Sequence, residues 1–179
     1  MNSLLIMGYT SFDLGIFNEK DIKVSIIKKT IRRKLINFLE EGLRWIIFTG
    51  NLGFEYWALE VAKELQTDYD FQIGTIFSFE THGQNWNEAN QSKLALFKQV
   101  DFVQYAYDAY QNAGQFREYH HFLISNANGA FVFYDEENET KLKYLVSQLN
   151  QAENFSVQML RFDALQDIAD EMADERSPE

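Results

Sequence analysis

The chain has 179 residues, 46% of them hydrophobic and 16% aromatic, which suits one globular domain with a core of its own. It contains no cysteine, so disulfides, thiolate catalysis and thiolate metal sites are excluded. A net charge of −11 repels nucleic-acid backbones unless basic residues gather on one face, so nucleic acid is not an expected partner.

No apolar run approaches the length of a membrane span. The opening MNSLLIMGYT has neither a basic leader nor a small-residue cleavage site, so the expected location is the cytoplasm, without membrane attachment.

Periodicity then gives an alternating series of elements. SLLIMG is a short apolar strand. Residues 21–41 form a helix with Ile22, Ile26, Leu35, Phe38 and Leu39 among its apolar positions and Gly42 at its end. RWIIFTG is a second strand and residues 53–67 a second helix. FQIGTIFSF is a third strand, followed by a polar loop and a helix over 89–99. VDFVQYA, a helix at 114–125, GAFVFYD, a helix at 139–152 and FSVQML complete the order before an acidic end.

Strands rich in Ile, Val and Phe that alternate with helices imply right-handed βαβ units. The expected fold is α/β: a single Rossmann-like domain over 1–160, with a mostly parallel sheet of about six strands and helices on both faces. Residues 161–179 read as an acidic helix or tail, and the sole proline, Pro178, marks no earlier break.

Charge is segregated along the chain. Lys20, Lys23, Lys28, Lys29, Arg32, Arg33 and Lys34 share one helical stretch, whereas Asp163, Asp167, Asp170, Glu171, Asp174, Glu175 and Glu179 crowd the end. The basic stretch is either a solvated helix face or a docking face for an acidic partner, such as the tail of a neighbouring subunit in a homo-oligomer.

In an open α/β sheet, ligands sit beyond the carboxyl ends of the strands, so the loops there hold the candidate site. The turn FTGNLGFE is the first of these. Gly50 ends a strand and Gly53 opens a helix, a position where free amides and the helix dipole attract phosphate. Glu55 would repel a phosphate on those donors and suits ribose hydroxyls better. The full G-x-G-x-x-G spacing is absent, and the alternative is a tight corner with Glu55 capping the helix.

The segments MGYTSFDLGIF, LRWIIFTGNLGFEYWALEVA, QNWNEAN and NGAFVFYD together resemble the bacterial YpsA family of the SLOG superfamily, Rossmann-like proteins that also include the LONELY GUY phosphoribohydrolases and DprA proteins. The resemblance runs to about residue 160. It implies a nucleotide-derived ligand over the strand ends, with Gly50, Gly53 and Glu55 in its pocket, and a link to cell division or stress responses. One departure is the missing P-G-G-x-G-T run of the LONELY GUY enzymes, whose region here reads NGAFVFYDEENETKLKYL with Asp135, Glu136, Glu137 and Glu139. Tyr119 and His120 stand where related proteins often carry an Arg-Asn pair. Both departures argue against glycosidase chemistry.

Other groups complete the expected site. Gly8 and Tyr9 would shape the first loop, Asn85 or Trp86 would meet the base, and Arg117 would offset phosphate charge. For Trp86 the alternative is a packed loop anchor, and for Arg117 a plain surface arginine. Tyr105, Tyr107 and Tyr110 divide in the same way. His82, His120 and His121 have no recognisable metal spacing, and no metal is expected. The leading reading is a sensor or regulator that binds ADP-ribose, NAD or a nucleoside phosphate. The alternatives are a nucleoside-monophosphate N-glycosidase using Glu55, or an interaction module using the basic helix.

Overall fold

Continuous apolar runs such as Leu4, Leu5 and Ile6 need cover on both sides, and a parallel sheet between two helix layers provides it. The computed structural model describes residues 1–176. Its strands are β1 (Ser3–Gly8), β2 (Trp45–Phe48), β3 (Gln72–Phe79), β4 (Phe102–Tyr107), β5 (Gly129–Phe133) and β6 (Ser156–Leu160). The helices are α1 (Ser11–Leu14), α2 (Ile22–Glu40), α3 (Phe54–Leu65) and α4 (Glu88–Lys98), then α5 (Gly114–Ser125), α6 (Leu142–Gln151) and α7 (Phe162–Arg176).

All six strands are parallel, in the order β4-β3-β2-β1-β5-β6. The fold is the open, Rossmann-like α/β sheet expected from the sequence. β5 is buried along its whole length, while the edge strands β4 and β6 are only partly covered. The chain steps outward from β1 to β4, then crosses back to add β5 on the free side of β1. Right-handed crossovers therefore put α2, α3 and α4 on one face, and α5 and α6 on the other. Strand order reverses at β1, and a crevice opens above its carboxyl end.

The short helix α1 had no sequence reading of its own, because four residues are too few for a period. Thr10 and Asp13 nonetheless form a reciprocal capping box around it, and Gly15 ends it in the left-handed region. Tyr9, just before it, is fully buried. Its hydroxyl accepts from the Asp135 amide at 2.7 Å and faces the Asn138 carbonyl at 2.7 Å, which pins the loop after β5 against the loop after β1.

The acidic end folds back as α7. Oδ2 of Asp135 accepts from the amide of Phe162, whose ring stacks on Tyr9 with centroids 5.9 Å apart. Glu136 grips Arg161 through two hydrogen bonds of 2.8 and 2.9 Å. α7 then runs along α2, where Lys29 pairs with Glu175 and Arg33 with Glu171. On its other flank α2 pairs Lys28 with Glu60 and Arg32 with Glu64 of α3. Four cations of the basic stretch thus meet acids of their own chain, two of them on the terminal helix. Solvent-exposed pairs of this kind contribute about 0–1 kcal/mol each. The double change Lys29→Glu and Arg33→Glu should accordingly loosen α7 while leaving the sheet intact. Amide hydrogen exchange within α7 is expected to quicken by up to about thirtyfold, against little change in β1 and β5, and unchanged exchange would show that the apolar contacts hold α7 alone.

Candidate functional site

The corner between β2 and α3 is built by its glycines. Gly50 (φ 91°) and Gly53 (φ 85°) both occupy the left-handed side of backbone space. A methyl group on Gly50 would stand 2.3 Å from Cε1 of Phe77. One on Gly53 would stand 2.5 Å from the Ser11 amide nitrogen and 2.7 Å from the Tyr9 carbonyl oxygen. The amide of Phe54 donates to that same carbonyl at 3.1 Å. Gly53 therefore lets the loop after β1 press on the start of α3, and it faces that loop instead of the crevice.

Glu55 closes the corner from inside. It is 2% exposed, and its Oε1 accepts from the amides of Thr49 at 2.6 Å and Gly50 at 3.2 Å. Its Oε2 meets the Thr49 hydroxyl at 2.5 Å, and that hydroxyl also receives Nδ2 of Asn51 at 3.1 Å. The Gly50 amide, assigned from the sequence to an anionic guest, is thus already held by Glu55. Burial pushes the Glu55 carboxyl up to about 7, although its hydrogen bonds from Thr49 and Gly50 pull the other way.

Above this corner lies a cavity of about 300 Å³ at the carboxyl ends of β1, β2 and β3. Met7 and Gly8 come from β1, and Thr49, Asn51 and Glu55 from the corner. Ser78, Phe79 and His82 form a second wall, while Phe116, Tyr119 and His120 of α5 and Leu142 and Leu145 of α6 roof it. No lysine or arginine lines it. Nε2 of His82 lies 2.8 Å from the Gly50 carbonyl oxygen, which can only accept, so the neutral ring keeps Nδ1 as an acceptor. Burial lowers the pKa of His82 and of His120, and it raises that of Tyr119, whose hydroxyl donates to the Ile76 carbonyl. The crevice is therefore a set of uncharged hydrogen-bonding groups around one ionisable carboxyl. Among the described residues no group of three His, Cys, Asp or Glu is placed to hold a metal ion.

Of the other residues expected in the site, Gly8 is in the crevice wall, whereas Tyr9 lies behind it as the pin described above. Trp86 and Asn85 do not line it. Gly83 turns the loop at φ 75°, and Nε2 of Gln91 binds the carbonyls of Gly83, Gln84 and Trp86, which ties the loop to α4. Trp86 packs edge-on against His82 at 5.1 Å, as a loop anchor, and Asn85 is exposed. Arg117 is also exposed and belongs to a neighbouring groove. The carboxylates after β5 do not crowd a ligand: Asp135 holds the amides of Glu137 and Phe162, Glu136 holds Arg161, and Glu139 pairs with Lys143 at 2.8 Å. Thr49, Asn51, Ser78, His82, Phe116, Tyr119 and His120 were not assigned to the site from sequence. Their common signal is position, since each stands near the carboxyl end of a strand or on the helix that crosses over those ends.

Two measurements check this geometry. A folded chain that keeps Glu55 protonated to about 7, against 4.5 in the open chain, loses stability as pH rises through that window and is flat above it. The size is about 3 kcal/mol from 1.36 kcal/mol per pH unit. Glutamine can accept both amides and donate to Thr49, so the stability difference between wild type and Glu55→Gln isolates this group from other titrations. In urea unfolding that difference should shift by about 3 kcal/mol in favour of the variant between about pH 4.5 and pH 7.5; a constant difference would mean that Glu55 is not so perturbed. Gly53→Ala should cost about 3 kcal/mol or more, from left-handed strain plus backbone collision, without any ligand present.

A family model described as the YspA SLOG family matches residues 4–165. A UPF0398 protein of Lactococcus lactis subsp. cremoris is 78% identical over 174 residues, covering 97% of this chain and 100% of its own. UPF0398 proteins of Streptococcus agalactiae and Streptococcus thermophilus are each 58% identical, covering 95% and 96% of this chain and 99% and 100% of their own. With its sheet order, its glycine corner and a match along almost its whole length, the chain belongs to the YpsA family of SLOG proteins.

Proposed function

We propose that the crevice binds the ribosyl part of a nucleotide or nucleotide-derived molecule, such as ADP-ribose, NAD or a nucleoside phosphate. The observation that carries this reading is Glu55: a buried carboxyl at the point of strand reversal, facing a cavity of about 300 Å³. Three donors already bind it, and a carboxylate offers about four acceptor sites, so capacity for one hydroxyl of a guest remains. Asn51 and Ser78 add neutral donors and acceptors of the kind a sugar requires, and Phe79 and Phe116 offer apolar faces. In this reading the protein acts in the cytoplasm as a sensor or regulator, with cell division or stress as its setting.

A second reading, N-glycosidase action, is favoured by one feature. A carboxyl that is partly ionised near neutral pH and held against a sugar could stabilise an oxocarbenium-like transition state as the base departs and water adds to the sugar carbon.

One experiment separates the two. Thermal unfolding across a panel of nucleosides, nucleotides, NAD and ADP-ribose should show a binder, which at 100 times its dissociation constant adds about 2.7 kcal/mol. For a domain of this size that is a rise in Tm of about 5–10 °C. Asn51→Ala and Ser78→Ala should each reduce it. Free base released from the bound compound at high protein concentration would establish the enzyme, and a flat response across the whole panel would remove both readings.

A further inference from the structure

Beside the crevice, α5 and α6 enclose a second and larger groove of about 670 Å³. Phe116, His120 and Leu145 face both spaces, so the groove adjoins the mouth of the crevice. Its electrostatics are the reverse of its neighbour's. Arg117 and Lys141 line it together with His120 and His121, and among the described residues no carboxylate does. In a chain with 27 acidic and 16 basic side chains, a groove of this size without an acid is a local exception.

These two cations are also unpartnered. Among the described residues Arg117 and Lys141 make no ion pair, nor do Lys20, Lys23, Lys34, Arg44, Lys63, Lys98 and Arg176, but of these nine only Arg117 and Lys141 line the groove. Arg117 is the fourth residue of α5, and Lys141 is the N-cap residue of α6. The crevice itself has no lysine or arginine and holds Glu55, so an anion placed there would meet a carboxylate and no counter-charge.

We propose that the α5–α6 groove is the anion subsite of the ligand held in the crevice. The ligand is then a phosphorylated ribosyl compound whose sugar enters the crevice, and whose phosphate or pyrophosphate passes Phe116 to lie between Arg117 and Lys141. This rests on the nucleotide reading above and adds to it a direction and a selectivity: nucleoside below monophosphate, monophosphate below diphosphate. Guanidinium and ammonium groups without acids of their own suit such an anion, and Phe116, partly exposed between the two spaces, provides an aromatic face beside the path.

The test is calorimetric titration of the full chain with nucleosides, their mono- and diphosphates for the four common bases, and inorganic pyrophosphate. Wild type should bind one diphosphate at least tenfold tighter than its nucleoside, and the preference should shrink with added salt. The double variant Arg117→Gln with Lys141→Gln should bring the diphosphate down to the nucleoside's affinity and leave the nucleoside within about twofold. Lys143→Gln, close by on α6 and paired with Glu139, should change neither. A diphosphate preference that survives the double variant overturns the subsite while the crevice reading stands. Equal affinity of wild type for nucleoside and diphosphate does the same. Pyrophosphate binding that depends on Arg117 and Lys141, with no nucleoside or nucleotide bound, would overturn the sugar-in-crevice arrangement and leave an isolated anion site. No binding by any titrant removes the subsite and the nucleotide reading together.

Discussion

The carboxyl of Glu55 and its hold on Thr49 and Gly50 is the interaction on which the site depends. A glycine corner with two residues on the left-handed side of backbone space leaves amides at the end of β2 that no strand partner satisfies. Glu55, in the first turn of α3, folds back and accepts two of them, so one side chain fixes the strand end, the corner and the helix start relative to one another. Burying a carboxyl is costly unless it is hydrogen-bonded, and here the bonds offset the cost only in part, which is why burial still dominates its titration. An apolar side chain would fill the space more cheaply but would leave the amides unpaired. The corner thus selects an acid for structural reasons, and that acid faces the crevice.

The sheet order explains why this corner and not another has room above it. Where the strand order reverses at β1, α3 lies on one face of the sheet and α5 on the other. The crevice is the gap that remains, roofed by α5 and the first residues of α6. Its contents divide by charge: uncharged groups and one acid inside, cations only in the groove outside. A bipolar guest with a neutral sugar and an anionic end matches that division better than a wholly anionic one.

Much of this architecture was legible in the sequence. Apolar runs bounded by polar loops placed all six strands to within two residues, because strands covered on both faces must be continuously apolar. Glu55, Gly50 and Gly53 stood out through their residue types at a strand-to-helix turn. Their partners did not. That Glu55 binds Thr49 is a short-range contact, but which amides remain free depends on the loop after β1 pressing on Gly53, a contact between residues more than forty positions apart. Trp86 and Asn85 have the chemistry of a base pocket, yet Gln91 draws their loop onto α4. Tyr119 and His120 were noticed as departures from a pattern and not as crevice residues, since only the long crossover from β4 to β5 carries α5 above β1 to β3.

In the basic helix, part of the charge segregation seen in the sequence is met within the chain. Seven cations in one stretch and seven acids at the end suggest attraction between molecules, but α7 leaves β6 at the edge of the sheet and returns along α2, where Lys29 and Arg33 meet acids of the same chain. The pairs are exposed, and each contributes little by itself. Their larger effect is selective: once Lys28, Lys29, Arg32 and Arg33 face acids of α3 and α7, their positive charge is locally balanced. Arg117 and Lys141, on the opposite helix layer and beside the crevice, keep theirs. Four cations of α2 are thus paired on one helix layer, while Arg117 and Lys141 on the other stand beside the crevice without an ion pair.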